Sequence, residues 1–296
     1  FGPLRSAREQ EKREVHWQSV AAAIAARGAV SVISGGPGTG KTTTVVQLLG
    51  LLQGIALEQG QALRISLAAP TGKAAARLTA SIGDAAAKLP EALRERIPTD
   101  VNTLHRLLGS RPDTRHFVYN AQNPLHIDLL VVDEASMIDL EMMAALLGAL
   151  PEAARLILIG DKDQLASVEA GSVLGDICRH AERAVYRPTT LQWIEADTGY
   201  RLEALAGEGT LLDQRIAILR KSYRFDRNSG IGALARAVNA GDPAPVAAVW
   251  QQGFADLDRL AVASTEDPAF ARLLLDGSPS SRPGSHPTAA TAPPPA

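Results

Sequence analysis

The chain has 296 residues, 46% hydrophobic and 21% charged, enough for one large domain or two ordinary ones around a buried core. With 30 Lys and Arg against 32 Asp and Glu the formal charge is -2, which neither supports nor excludes a nucleic-acid partner, because a basic groove can sit on a neutral protein. The lone cysteine, Cys178, excludes an internal disulfide, no Cys/His cluster suggests zinc, and no apolar run reaches the roughly 18 residues of a membrane helix. The charged start FGPLRSAREQEKREV is no signal peptide, so a soluble cytoplasmic protein without a membrane partner is expected. A chain that begins with Phe1 and not Met is expected to be a fragment or a processed product.

In chain order, residues 8–27 read as a helix with apolar positions at helical spacing, stopped by Gly28. Val30 to Ser34 is a short apolar strand, followed by a Gly-rich loop and a helix through about Leu52. Residues 62–69 form a second strand. Pro70, Thr71 and Gly72 make a turn, the Ala-rich segment 73–82 a helix, and residues 83–102 a surface connection. The run LLVV within 126–135 is too apolar for a half-exposed strand, LILI within 154–161 is another strand, and a helix lies between them near Leu140 to Leu150. Short apolar strands alternating with helices specify an α/β fold, a parallel sheet covered by helices on both faces, whose ligands bind at the carboxyl ends of the strands. The pattern weakens after residue 180. Residues 201–225 read as the start of a second α/β unit, with a helix over 230–242. The last 20 residues hold six of the 18 prolines and read as a disordered tail.

The loop Gly35-Gly36-Pro37-Gly38-Thr39-Gly40-Lys41-Thr42 fits G-x-x-x-x-G-K-[ST] at every fixed position, after a strand and before a helix. Glycines let successive N–H groups turn in around phosphates, and the helix adds its positive N-terminal end. Lys41 would reach the β- and γ-phosphates, and the Thr42 hydroxyl would hold Mg²⁺. Asp133 and Glu134 follow the LLVV strand. A carboxylate there binds Mg²⁺, and the neighbouring Glu can polarise an attacking water, which implies hydrolysis and not transfer to a small acceptor. After LILI comes GDKDQL, where Gln164 either senses the γ-phosphate or belongs to a plain Asp/Gly turn.

Taken together, HWQSVAAAIA (16–25), GGPGTGKTTT (35–44), LAAPTGKAAARLTASI (67–82), NTLHRLLG (102–109), LLVVDEASMIDLEMM (129–143), LILIGDKDQLASVEAGSVLGDI (156–177) and LRKSYRFDRNSGIGALARAVNAGD (219–242) resemble the superfamily 1 DNA helicases, and within them the RecD family of exodeoxyribonuclease V alpha subunits. The resemblance implies a P-loop NTPase of RecA-like fold with the start of a second RecA-like lobe, movement 5′ to 3′ on single-stranded DNA or duplex ends, and RecB- and RecC-like partner subunits. It assigns Gln18 to adenine, the loop from Gly35 through Thr43 to the phosphates, and Thr42 and Asp133 to Mg²⁺. Glu134 would activate water, Gln164 would couple the γ-phosphate to DNA, and Arg224 would act as an arginine finger. Pro70, Thr71, Gly72, Thr103 and His105 match the family's strand-contacting segments. From the residues alone, Asn102 or Thr103 can equally cap a helix and His105 can be packed.

The implied organisation is a first RecA-like lobe over 1–180, a connecting segment over 181–215, a partial second lobe over 216–275 and the tail over 276–296. Nothing after residue 242 resembles the family's last two motifs, and its N-terminal docking domain is not recognised. The expectation is a fragment that binds ATP and Mg²⁺ but hydrolyses poorly and does not unwind processively by itself. The alternative is an ATP-binding scaffold module without productive translocation.

Overall fold

A computed structural model describes residues 14–111, 116–164, 173–183, 185–225, 229–241 and 243–257, with residues 259, 264, 267, 268 and 270 beyond them. Chain contacts divide it into two compact units that meet between Tyr223 and Arg224.

The first unit is built on six parallel strands, β1 (Val30–Gly35), β2 (Ile65–Ala69), β3 (Val101–Thr103), β4 (Leu129–Val132), β5 (Arg155–Gly160) and β6 (Ile216–Leu219), in the order β3-β2-β4-β5-β1-β6. The strands are apolar on both sides because helices cover both faces. Ile33, Val131 and Ile157 point into one core with α1 (Trp17–Arg27), α2 (Lys41–Glu58) and α3 (Gly72–Ala86). Their chain neighbours Val32, Val132 and Leu158 point into the other core with Leu104 of α5 (Leu104–Leu107), Leu146 of α6 (Leu140–Ala149) and Leu174 of α7 (Val173–Ile177). The short α4 (Glu91–Arg94) lies in the connection between α3 and β3. All four residues of β4 are fully buried, so truncating one of its leucines to Ala is worth about 2–5 kcal/mol. The expected α/β class, with a parallel sheet covered on both faces, is therefore observed.

Several boundaries differ from expectation. The first helix begins at Trp17, with residues 14–16 non-helical. The rest of its expected start, 8–13, lies outside the described residues. α2 continues past Leu52 to Glu58, and the expected connection over 83–102 contains the end of α3, α4 and β3. Residues 181–215, expected as a connection, belong to the first unit. There α8 (Pro188–Thr198) packs on α1, with Trp193 Nε1 donating to the Ala23 carbonyl (2.8 Å) and Arg27 to Thr190 Oγ1 (2.9 Å). β6, expected in the second lobe, pairs with β1 through the register Val32↔Ile216 to Gly35↔Leu219. A parallel partner is chosen by three-dimensional packing and not by chain proximity, so the sequence order conceals it.

Among the described residues the second unit, by itself, holds a helical pair, α9 (Gly230–Asn239) and α10 (Pro243–Gln251). Ser229 caps α9, its Oγ accepting from Gly232 N (3.2 Å) and donating to Asp256 (2.7 Å). That bond and the N–H of Gly230 hold the Asp256 carboxyl below its ordinary range. The proline-rich tail lies outside the described residues. Among the described residues no helix is long and apolar enough to cross a membrane.

Candidate functional site

The carboxyl ends of six parallel strands share one edge, and apart from Gln18 on α1 the polar site residues singled out above in the first unit follow those ends. β5 lies between β1 and β4, so the loop after β1 and the acidic pair after β4 are separated by two strand spacings, about 10 Å. That leaves room for a phosphate group between them.

The loop after β1 turns through two left-handed glycines, Gly38 (φ 74°) and Gly40 (φ 82°), a conformation that costs an L side chain roughly 1–2 kcal/mol. Gly35 is required for close approach: a Cβ there would sit 2.7 Å from Thr39 Oγ1 and 2.9 Å from Leu219 Cβ. Lys41 Nζ donates to the carbonyls of Gly35 (2.6 Å) and Gly36 (3.3 Å), which holds the ammonium over its own loop. Thr39 Oγ1 donates to Gly36 O (2.9 Å). Thr42 and Thr43 occupy the first turn of α2, where backbone N–H groups have no partner within the helix. Among the described residues the N–H groups of Gly38, Thr39 and Gly40 also find no acceptor. An arc of unpaired N–H groups next to an ammonium fits a polyphosphate chain.

Gln18 is 7% exposed; its Nε2 donates to Thr39 O (3.0 Å) and its Oε1 accepts from Tyr223 Oη (3.2 Å). In this structure its amide therefore braces the loop. Beside it, an open groove of about 190 Å³ is lined by Gln18, Ser19 and Ala22 of α1 and Gln47 and Leu51 of α2.

Asp133 follows β4, its N–H donating to Ala68 O (2.9 Å). Burial raises its carboxyl above the ordinary Asp value; the Glu134 N–H lowers it, the Glu134 charge raises it further, and the Lys41 charge opposes that. A half-buried carboxylate that feels the charge of Lys41, with the hydroxyl-bearing Thr42 in the first turn of α2, offers oxygen donors that suit Mg²⁺ completed by phosphate and water. Glu134 has φ 53° and ψ 39°, and it is the one non-glycine with positive φ among the described residues. A β-carbon in that region is strained, and such strain concentrates at functional positions.

Gln164 ends the turn after β5, which an Asx contact from Asp163 N to Asp161 Oδ1 (3.1 Å) stabilises. The buried Ser136 donates its hydroxyl proton to Gln164 Oε1 (2.9 Å), tying the acidic turn to the Gln turn. Lys162 N donates to the buried Ser34 Oγ (3.1 Å), tying β5 to β1. Neither serine was singled out from the sequence, although Ser34 precedes Gly35 and Ser136 stands within DEASM.

Farther along the edge, Thr71 caps α3 and accepts from Ala74 N (3.2 Å), and Thr103 caps α5 and accepts from Arg106 N (3.3 Å). Of the two candidate caps it is Thr103, not Asn102, that serves. Pro70 and Gly72 flank Thr71 at the end of β2. His105 is exposed, its ring edge-on to Phe117 at 6.0 Å. Arg224 is the first residue of the second unit and is described only within it. Cys178 is buried in an apolar site that pushes its thiol up to about 12, which makes it inert.

Sheet and loop together define a P-loop nucleotide-binding protein. Residues 18–170 match the family profile described as AAA domain, more than half of the chain, and the chain belongs to that family. It is similar to the "RecBCD enzyme subunit RecD" of Haemophilus influenzae, 45% identical over 239 residues, covering 79% of this chain and 36% of that one. The same subunit of Mycobacterium tuberculosis is 42% identical over 254 residues, covering 85% of this chain and 38% of that one. The "ATP-dependent RecD2 DNA helicase" of Deinococcus radiodurans is 43% identical over 140 residues, covering 47% of this chain and 16% of that one. The chain thus spans less than two fifths of the length of the curated RecD relatives it matches.

Proposed function

We propose that this chain forms the ATP-binding lobe of a DNA helicase subunit of the RecD type, working in the cytoplasm with RecB- and RecC-like subunits in a double-strand-break repair enzyme. The observation that carries the reading is the convergence of three strand ends. The loop 35–42 with its unpaired N–H groups among the described residues, the Asp133–Glu134 pair on a strained turn, and Gln164 bonded to Ser136 all lie along one sheet edge. The similarity to RecD subunits supports the choice of DNA motor over other P-loop proteins.

Mg²⁺-ATP supplies the phosphoanhydride bond whose hydrolysis powers translocation. In the reading proposed here, the N–H groups of residues 38–43 bind the phosphates and Lys41 exchanges its contacts with Gly35 and Gly36 for phosphate oxygens. Thr42 and Asp133 hold the metal, and Gln18 contacts adenine from the groove between α1 and α2. Glu134 accepts the proton of the attacking water, its turn fixing the carboxylate beside Asp133. Gln164 reads the γ-phosphate, and its bond to Ser136 keeps it beside the acidic turn. By the resemblance, Arg224 would be the residue that adds positive charge in the transition state. Pro70, Thr71, Gly72, Thr103 and His105 line the track for single-stranded DNA. A capping threonine retains its hydroxyl proton and can donate it to a phosphate oxygen.

The test is ATP hydrolysis by this chain titrated with single-stranded DNA. A rate that rises with DNA supports a motor lobe. Nucleotide binding with a rate indifferent to DNA would replace it with an ATP-binding scaffold.

A further inference from the structure

Three consecutive carbonyls of the phosphate loop are held from outside the loop. Ser222 Oγ donates to Pro37 O (3.1 Å), Tyr223 N to Gly38 O (2.8 Å) and Gln18 Nε2 to Thr39 O (3.0 Å). The Tyr223 hydroxyl closes the set by donating to Gln18 Oε1 (3.2 Å). A trans peptide unit is planar, with its C=O and the following N–H pointing opposite ways. Pinning the carbonyls of residues 37 and 38 toward the segment 220–223 (the strap), and that of residue 39 toward Gln18, therefore turns the N–H groups of Gly38, Thr39 and Gly40 away from these donors. Those three N–H groups find no acceptor among the described residues.

The strap is itself anchored. It leaves β6 at Leu219, the strand that pairs with β1 just before the loop. The Arg220 guanidinium lies 5.3 Å from the centre of the Trp17 ring, and Lys221 Nζ pairs with Glu14 at 2.6 Å. Residues 14–18 thus hold the strap on one side while the loop takes its donors on the other. All these residues belong to the first unit.

We propose that Ser222 and Tyr223 are positioning residues for phosphate binding: they aim the loop's N–H groups at the polyphosphate without touching it. The inference rests on the nucleotide-site reading above and extends it to a segment whose expected contribution was Arg224 alone. A glycine-rich loop has many accessible conformations, and the strap's donors select the one in which its N–H groups converge.

The experiment is a titration of this chain with Mg²⁺-ADP and, separately, with inorganic pyrophosphate, on the wild type, Ser222→Ala, Ser222→Thr and Lys41→Ala. Losing one hydrogen bond's worth of orientation, Ser222→Ala is expected to weaken both ligands by about fivefold. Ser222→Thr, which keeps the hydroxyl, restores them, and the melting temperature of the ligand-free protein does not move. Tyr223→Phe keeps the backbone donor and loses only the contact with Gln18, so it weakens both ligands less than Ser222→Ala. If Ser222→Ala binds both ligands like the wild type while Lys41→Ala does not, the strap has no positioning role. Weakening of ADP alone would also overturn the proposal, because it would place the effect on the base. If Lys41→Ala also binds like the wild type, the nucleotide site itself is wrong and the strap falls with it.

Discussion

Among the described residues, the N–H groups of Gly38, Thr39 and Gly40 at the end of β1 find no acceptor, whereas the hydroxyls of Thr71 and Thr103 at the ends of β2 and β3 accept from the helices that follow them. Both regions lie on the same sheet edge. The first is arranged so that its polar groups are completed by something outside the chain. It accepts two left-handed glycines and a left-handed Glu134 nearby to do so. The second is complete without a ligand, since each threonine does ordinary capping. Sequence resemblance assigns ligands to both regions, but local physics argues for one only at the β1, β4 and β5 ends. At β2 and β3 a DNA contact has to be a second use of a hydroxyl already engaged.

The contrast can be sharpened by substitution. The largest expected effect is at Glu134. Glu134→Gln should leave ATP affinity within about twofold and slow hydrolysis by roughly 10²–10³-fold, measured as phosphate release under saturating ATP. Thr71→Ala should cost about 1 kcal/mol through the lost cap. In a chain of this size that lowers Tm by roughly 2–4 °C. It should also weaken single-stranded DNA about threefold in an anisotropy titration if the hydroxyl is used twice, and Thr71→Ser should keep both properties. Unchanged DNA affinity in Thr71→Ala would confine that residue to capping and widen the contrast between the two regions. Glu134→Gly removes the strained side chain. It should raise stability by about 0.5–1 kcal/mol while abolishing hydrolysis, whereas a loss of stability would show that the turn is not strained.

The smallest effect is expected on the opposite side of β4 from its acidic turn, where Arg64 donates to both carboxylate oxygens of Asp128 (2.9 and 2.7 Å). The side-chain hydrogen bond from Arg64 holds the Asp128 carboxyl below its ordinary value; burial acts the other way, and the Arg64 N–H and charge also lower it. A depressed carboxylate stabilises the fold above its unfolded value and loses that contribution as pH falls through the folded one. Asp128→Asn should therefore lower Tm by on the order of 1–2 °C at neutral pH. The difference should close as pH is taken below the ordinary Asp value of about 3.9. A gap that persists in acid would assign the effect to the backbone contact with Arg64 N instead.

Much of this was legible in the residues. LLVV is too apolar for a half-exposed strand and LILI marks another strand, and β4 and β5 lie there. The phosphate loop was legible because its fixed positions are glycines and a lysine with few alternative uses. β3 was missed because three residues cannot display an alternation. α8 was missed because PTTLQWIEADT carries little apolar periodicity, although Pro188 at its start and the left-handed Gly199 (φ 72°) at its end are boundary signals. β6 was read into the wrong unit because its partner β1 is remote in sequence. In the site, residue types were visible but hydrogen-bond partners were not. No sequence rule announces that Glu134 is left-handed, that Ser136 reaches Gln164, or that Ser222 holds Pro37.

The central claim is that the end of β1 binds the triphosphate while the end of β4 breaks it. Calorimetric titration of Mg²⁺-ATP into the wild type, Lys41→Ala and Glu134→Gln tests it most directly. The account predicts that Glu134→Gln binds like the wild type and that Lys41→Ala loses on the order of 100-fold in affinity, about what removing a charge-assisted phosphate contact costs. Equal loss of binding in both variants would contradict it, because binding and hydrolysis would then not be divided between the two strand ends.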